Sequence, residues 1–214
     1  MKIFLAESAP PELALSWTDG LREDKKARID RMRRREDQAL ALTAHRLLCY
    51  ALKTDCGIVP TSNDFDLGAR GKPFLKDRPD IHFNISHSGA MALCALHEAP
   101  VGADIEKIRP LGAGVAKRIL TAAEQQVYAQ TEDKQNLFFQ IWTLKEAYIK
   151  YLGTGLGVAL SSVTAYPVGT TVLTDTGCAF MMVNDITGYQ AAVCTQSKVV
   201  PSVRKVDTDS LVLF

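Results

Sequence analysis

Apolar residues recur at i, i+3 and i+4 along residues 21–53, where Leu40, Ala44, Leu47, Leu48, Ala51 and Leu52 share one stripe and predict helix. The charged run Arg33-Arg34-Arg35-Glu36-Asp37 interrupts that stripe and predicts a break between two helices, and Gly57 supplies a stop signal. Before this region, residues 2–6 read as a strand. After it, short apolar runs at 65–68, 81–85, 90–96 and 101–105, punctuated by Gly, Pro, Asn and Ser, predict strands, with 84–89 carrying a turn between two of them. Past Pro110 the helical period returns over 115–120, 121–130 and 134–152. Thr121 followed by Glu124 matches a capping box, and Gly153 can end the last helix. From Gly157 onward Val, Thr and aromatic residues predict strands near 162–166, 179–184 and 189–195.

Strand, helices, strands, then helices, strands is the order of an α+β protein. Each half is α+β on its own, which predicts two similar-sized subdomains, 1–102 and 103–214, with no linker and no clear repeat. The halves are expected to share a cleft, with Asp104 and Glu106 at the join. A chain of 214 residues with 47% hydrophobic content has ample material for a core. The formal net charge of +1 selects no partner, although positive charge gathers between Arg22 and Arg35. Five scattered cysteines without a C-x-x-C pair fit reduced cytoplasmic thiols better than disulfides or zinc. The short apolar start is not a signal peptide, and no apolar run approaches membrane-spanning length, so a soluble cytoplasmic protein without membrane partners is expected.

Within Gly102-Ala103-Asp104-Ile105-Glu106-Lys107, the i, i+2 spacing on a strand points Asp104 and Glu106 to one face. Within Trp142-Thr143-Leu144-Lys145-Glu146-Ala147-Tyr148-Ile149-Lys150, helical spacing places Trp142, Glu146 and Lys150 on one stripe. Three carboxylates with a lysine one turn away form an all-oxygen donor set suited to Mg²⁺, a cation that usually serves phosphates. Each piece has a plainer reading. A lone D-x-E is commonly a solvated strand face, Glu146–Lys150 an ordinary surface pair, Glu124 a capping residue and Trp142 a core anchor.

These segments stand in a fixed order with a basic helix, Gly71-Lys72-Pro73, Phe83-Asn84-Ile85-Ser86-His87-Ser88-Gly89, Thr121-Ala122-Ala123-Glu124 and Gly153-Thr154-Gly155-Leu156. The set resembles the 4′-phosphopantetheinyl transferases of the long single-chain (Sfp-type) class, from the first strand to at least Leu160. The resemblance implies two α+β subdomains in pseudo-twofold arrangement with coenzyme A between them. It also implies transfer of the phosphopantetheine arm to a serine of an apo acyl or peptidyl carrier protein, releasing adenosine 3′,5′-bisphosphate. On this resemblance Asp104, Glu106 and Glu146 hold Mg²⁺ (Mn²⁺ being the alternative), Glu146 and Lys150 handle the proton and the phosphoryl charge, and Glu124 stands behind the metal ligands. Lys25 and Arg28 meet the 3′-phosphate of coenzyme A, Lys72 and Pro73 touch the nucleotide, and Ser86 and His87 converge on a phosphate from a turn. The chain departs from the family at Leu40 and Ala41, where an arginine and a small hydroxylated residue are usual.

Two rivals follow from the residues alone: another metal-dependent phosphoryl-transfer enzyme, or a nucleic-acid-binding module built on the arginine-rich helix. The neutral charge balance, the lack of a nucleic-acid motif and the acidic cluster weigh against the second. The expectation is therefore a monomeric enzyme with no nucleic-acid partner.

Overall fold

A four-stranded sheet carries the first of two units. The computed structural model describes residues 1–18 and 20–212, at Leu156 the backbone alone. The chain divides into Met1–Ala99 together with the segment from Val200 onward, and Pro100–Val199. The sequence division differs at its C-terminal end, because the last residues return to the first unit instead of completing the second.

In the first unit, β1 (Lys2–Glu7) leads through α1 (Pro11–Ala14) and α2 (Glu23–Asp30) to the long α3 (Arg35–Cys56). A small antiparallel pair, β2 (Phe65–Leu67) and β3 (Pro73–Leu75), precedes the hairpin of β4 (His82–Ser88) and β5 (Met91–His97). The helix break lies at residues 31–34, where Arg34 is extended (φ −103°, ψ 132°), and not at 33–37. Arg35, Glu36 and Asp37 instead open α3, where the two acids favour the positive end of the helix dipole. At its other end Gly57 takes φ +69° and closes the helix, with the amides of Gly57 and Ile58 bonding to the carbonyls of Lys53 and Leu52. The predicted stripe of α3 is buried against β5, β1 and β4. Asn84 to Ser88 continue β4 and make no turn. Ser88 pairs with Met91 across a two-residue link with positive φ at Gly89 alone, as a type II′ turn requires.

The second unit begins with β6 (Val101–Lys107), followed by α4 (Val115–Ile119), α5 (Ala122–Gln130) and α6 (Lys134–Leu152). A hairpin of β7 (Ala165–Val168) and β8 (Thr171–Thr174) follows, beginning later than predicted because residues 160–162 form a 3₁₀ turn. Then β9 (Ala179–Met182) and β10 (Tyr189–Thr195) join β6 in an antiparallel sheet ordered β6-β10-β9, on which α6 packs. Finally β11 (Ser202–Lys205) returns to the first unit and pairs in parallel with β1, completing a sheet ordered β11-β1-β5-β4, and α7 (Thr208–Val212) packs against α3. Neither was visible in the sequence, since β11 is exposed along its length and carries no alternating pattern. Among the described residues no helix is long and apolar enough to cross a membrane.

The capping box at Thr121 forms as the sequence predicts, with Glu124 Oε2 accepting from the Thr121 amide. Glu124 does more. Its other oxygen accepts from the Ala165 amide, and its carboxylate pairs with Lys145, whose ammonium also donates to the Ile119 carbonyl. Both side chains are fully buried, so the charge pair and its hydrogen bonds to Thr121, Ala165 and Ile119 replace the water that each group has lost. Glu124 thus ties α5, α6 and the start of β7 together.

Removing one partner leaves the other charge buried and uncompensated. Lys145→Ala should destabilise the protein by about 3–5 kcal/mol, whereas the paired Glu124→Gln/Lys145→Met change should cost less than that single substitution. Urea denaturation of the three proteins checks this ordering.

Candidate active site

Gly102, Asp104 and Glu106 alternate onto one face of β6, and register places Cys194, Ala192 and Gln190 of β10 opposite them. That face receives α6. A methyl group on Gly102 would overlap the backbone oxygen of Ala147 and nitrogen of Tyr151, and would lie 2.8 Å from Tyr151 Cα. The absence of a side chain at residue 102 therefore sets how near the helix comes to the strand. The close contact brings Lys150 Nζ to 2.6 Å from Asp104 Oδ1.

Asp104 is 3% exposed and Glu106 is partly exposed, with Arg109 reaching Glu106 Oε2 at 3.4 Å. Glu146 is half-buried one turn before Lys150. Burial raises its pKa, repulsion from Asp104 and then Glu106 raises it further, and Lys150 opposes the rise. The strand pair and the helix carboxylate thus share one electrostatic environment, as the spacing predicts. Trp142 lies on the same helical stripe. Its ring packs beside Phe138 at 5.8 Å, so it is a core anchor, and its buried Nε1 makes no hydrogen bond within the protein.

Among the described residues, no three His, Cys, Asp or Glu side chains gather closely enough to hold a metal ion as they stand. The donor chemistry nonetheless suits a hard divalent cation, since all three acids offer carboxylate oxygens. The mutual repulsion that raises the Glu146 pKa is also what such a cation would relieve. Glu124 is committed to Thr121, Ala165 and Lys145. It bears on this site through Lys145, the chain neighbour of Glu146.

The residues expected at the nucleotide all lie in the first unit. Lys25 and Arg28 stand on α2, Lys72 and Pro73 at the start of β3, and Ser86 and His87 on β4. The Lys25 ammonium donates to His45 Nδ1 at 3.2 Å. Burial above all, and repulsion from Arg28, bring its pKa down to about 8 against the opposing influence of Cys49 and Asp24. Lys72 is near enough to His82 to add to the lowering that burial imposes on that imidazole. Ser86 and His87 do not converge from a turn. As successive strand residues they face opposite sides of the sheet, Ser86 buried and His87 exposed. Leu40 and Ala41, where the family carries polar groups, are both 5% exposed and belong to the core.

Sequence reasoning missed Gly102, His45, Arg109 and the role of Lys145. Gly102 belonged to a recognised motif, but its importance depends on a helix 45 residues away in sequence. His45 gave a faint signal as a polar residue within the buried stripe of α3.

Comparison with known proteins identifies the family. Residues 100–195 match the model of the 4′-phosphopantetheinyl transferase superfamily, and residues 11–99 match that of the 4′-phosphopantetheinyl transferase N-terminal domain. The chain is 34% identical to 4′-phosphopantetheinyl transferase psf-1 of Bacillus pumilus over 81% of its own length and 78% of that protein. It is 36% identical to a 4′-phosphopantetheinyl transferase of Bacillus subtilis and 34% identical to Sfp of Bacillus subtilis strain 168. Those two matches each span 65% of this chain and 63% of the relative's length.

The contact at Gly102 generates a sharp expectation. Gly102→Ala forces β6 and α6 apart, and overpacking against backbone should cost about 3 kcal/mol or more. The retreat of α6 should also lower the Glu146 pKa, because its distance from Asp104 grows. Thermal unfolding measures the first effect, and carboxyl titration by NMR measures the second.

Proposed function

The chain belongs to the 4′-phosphopantetheinyl transferase superfamily, and on that footing we propose that it transfers the phosphopantetheine arm of coenzyme A to a serine of an apo carrier protein. The serine oxygen bonds to the phosphorus that bears pantetheine, and the pyrophosphate P–O bond breaks. Adenosine 3′,5′-bisphosphate leaves, and the serine proton is taken up by a base. The observation that carries this reading is the meeting of Asp104, Glu146 and Lys150 across the β6–α6 contact. It joins a base of raised pKa to a cation in one half-buried place.

In this reading Asp104, Glu106 and Glu146 would hold Mg²⁺, or Mn²⁺ in its place. When bound, that ion supplies charge neutralisation to phosphoryl oxygens. The chain's own residues do the rest. Glu146 accepts the serine proton at a carboxylate oxygen, helped by burial that makes it a stronger base than a solvated glutamate. Lys150 shifts between the Asp104 carboxylate and the developing phosphoryl charge. In the first unit, Lys25, Arg28, Lys72 and Pro73 contact the nucleotide end, with Lys25 and Arg28 at the 3′-phosphate, and β4 meets it through the exposed His87 imidazole and the main chain of Ser86. We place the reaction in the cytoplasm, where the five free cysteines fit, and assign it to a monomer acting on acyl or peptidyl carriers.

Incubation with coenzyme A, Mg²⁺ and a panel of apo carriers, followed by intact-mass measurement, should show a gain of one phosphopantetheine arm. No gain on any carrier would sink the reading.

The variants separate the roles within the acidic group. Asp104→Ala and Glu106→Ala should raise the Mg²⁺ concentration for half-maximal rate, and should abolish the rise in Tm that Mg²⁺ gives the native protein. Glu146→Gln should retain coenzyme A binding while turnover falls by about 10²–10⁴-fold, the usual range for a lost general base. Because the unprotonated Glu146 is the active form, the native rate should fall as pH drops through its raised pKa. Without Mg²⁺ the Glu146 pKa should lie above the ordinary glutamate range, and adding Mg²⁺ should lower it by relieving the repulsion from Asp104 and Glu106. Carboxyl titration by NMR with and without Mg²⁺ measures the shift, and a pH–rate profile at saturating substrate locates the acid limb.

A further inference from the structure

Outside the acidic group, the most unusual polar arrangement is a chain of three groups in the first unit. His45 is 4% exposed on α3, with Nδ1 3.2 Å from Lys25 Nζ and Nε2 3.7 Å from Cys49 Sγ. An ammonium has no acceptor to offer, so Nδ1 must be the unprotonated nitrogen facing it. Nε2 then carries the ring proton towards the Cys49 sulfur, and the imidazole is neutral. Its edge packs on Phe65, with ring centroids 6.2 Å apart, which fixes the ring plane. A backbone element passes close by, since a methyl group on Gly20 would lie 3.8 Å from Nε2.

The second observation is the charge around this ring. Lys25 feels Arg28 and Asp24 from α2, and Cys49 feels Lys25 and Arg46 from α3. Among the described residues, Arg28 and Asp24 thus act on a partly buried lysine, and Arg46 acts on its neighbour Cys49. A carboxylate in the place of His45 would hold the ammonium equally well but would cancel its charge. A neutral imidazole holds it and leaves the full positive charge for an anion. The α2 helix needs such a hold, because it is almost wholly charged and only Ile29 is buried.

We propose that His45 is a positioning residue for the 3′-phosphate of coenzyme A, presenting the Lys25 ammonium through a neutral acceptor at Nδ1. The proposal rests on the reading of Lys25 as a 3′-phosphate contact and adds a residue that neither the motifs nor the family pattern supplies. His45 acts through Lys25 and does not touch the reacting phosphorus. Grip on the phosphate therefore depends on the geometry of an acceptor atom as well as on the presence of a lysine.

Two amide substitutions test this, because the Asn Oδ1 stands where His Nδ1 does and the Gln Oε1 stands nearer Nε2. The readout is the ratio of affinities for coenzyme A and dephospho-coenzyme A, with kcat and KM measured separately and Tm as a folding check. The native protein and His45→Asn should prefer intact coenzyme A to similar extents. In His45→Gln and His45→Leu that preference should shrink by about tenfold or more, the size expected for one charge-assisted contact, through KM with kcat nearly unchanged. Raising the pH from about 7 to about 9 should shrink the native preference too. Lys25 is charged below its pKa of about 8 and neutral above it, with Asp24, Arg28, Arg46, His45 and Cys49 as the groups that face it. If His45→Gln and folded His45→Leu discriminate as well as the native protein while Lys25→Ala does not, the role of His45 is overturned and that of Lys25 stands. Should the native protein bind both forms equally, the Lys25 reading fails and takes this proposal with it.

Discussion

The backbone contact between Gly102 and the turn of α6 from Ala147 to Tyr151 governs the second unit. Helices usually meet sheets through interdigitating side chains that hold the backbones apart. Here one strand residue contributes no side chain, and the helix settles onto the strand itself. Two consequences follow from that single approach. The face carrying Asp104 and Glu106 becomes enclosed, and the stripe carrying Glu146 and Lys150 is brought over it. Burial then changes the chemistry, because acids taken out of water and set near one another resist ionisation. The perturbed Glu146 is therefore a product of packing, and packing here is a property of one glycine.

Two lysines five residues apart on α6 show how the same ion pair can serve opposite ends. Lys145 and Glu124 are sealed from solvent, and their remaining hydrogen-bonding capacity goes to the Thr121 and Ala165 amides and the Ile119 carbonyl. Such a network, closed off from solvent, fixes geometry and presents no group to a ligand. Lys150 and Asp104 differ. Lys150 remains partly exposed, and Asp104 and Glu106 repel the Glu146 charge more than Lys150 relieves it. Adjacent residues on a helix point about 100° apart. Holding Lys145 inward therefore also determines where Glu146 faces, and the closed pair sets the rotation of the open one.

The periodic elements were legible in the sequence because one-dimensional pattern and three-dimensional burial coincide in them. The α3 stripe, the capping box at Thr121, the stops at Gly57 and Gly153 and the shared face of Asp104 and Glu106 all follow from local spacing. The errors have equally local reasons. Arg35, Glu36 and Asp37 look like an interruption by charge density, yet acids at a helix start favour the helix. The segment 84–89 looks like a turn by its Asn, Ser and Gly content, yet five cross-strand neighbours on β5 outweigh that composition and leave only residues 89–90 as the link. The exposed β11 owes its existence to pairing with β1, which no window along the chain contains.

The residues of the candidate site divide along the same line. Acidic and basic residues announce themselves by type, so Asp104, Glu106, Glu146 and Lys150 could be grouped before any coordinates. Groups whose importance comes from what they touch could not. Gly102 matters because of Ala147 and Tyr151, and His45 because of Lys25 20 residues earlier. A histidine among Leu42, Ala44, Leu47 and Leu48 reads by pattern as a core residue, and by burial it is one. Its hydrogen bond to a lysine on a helix that buries only one apolar residue gives it a second meaning. Packing sets position in both units, and the charged side chain that chemistry requires is steered by a neighbour that carries no charge.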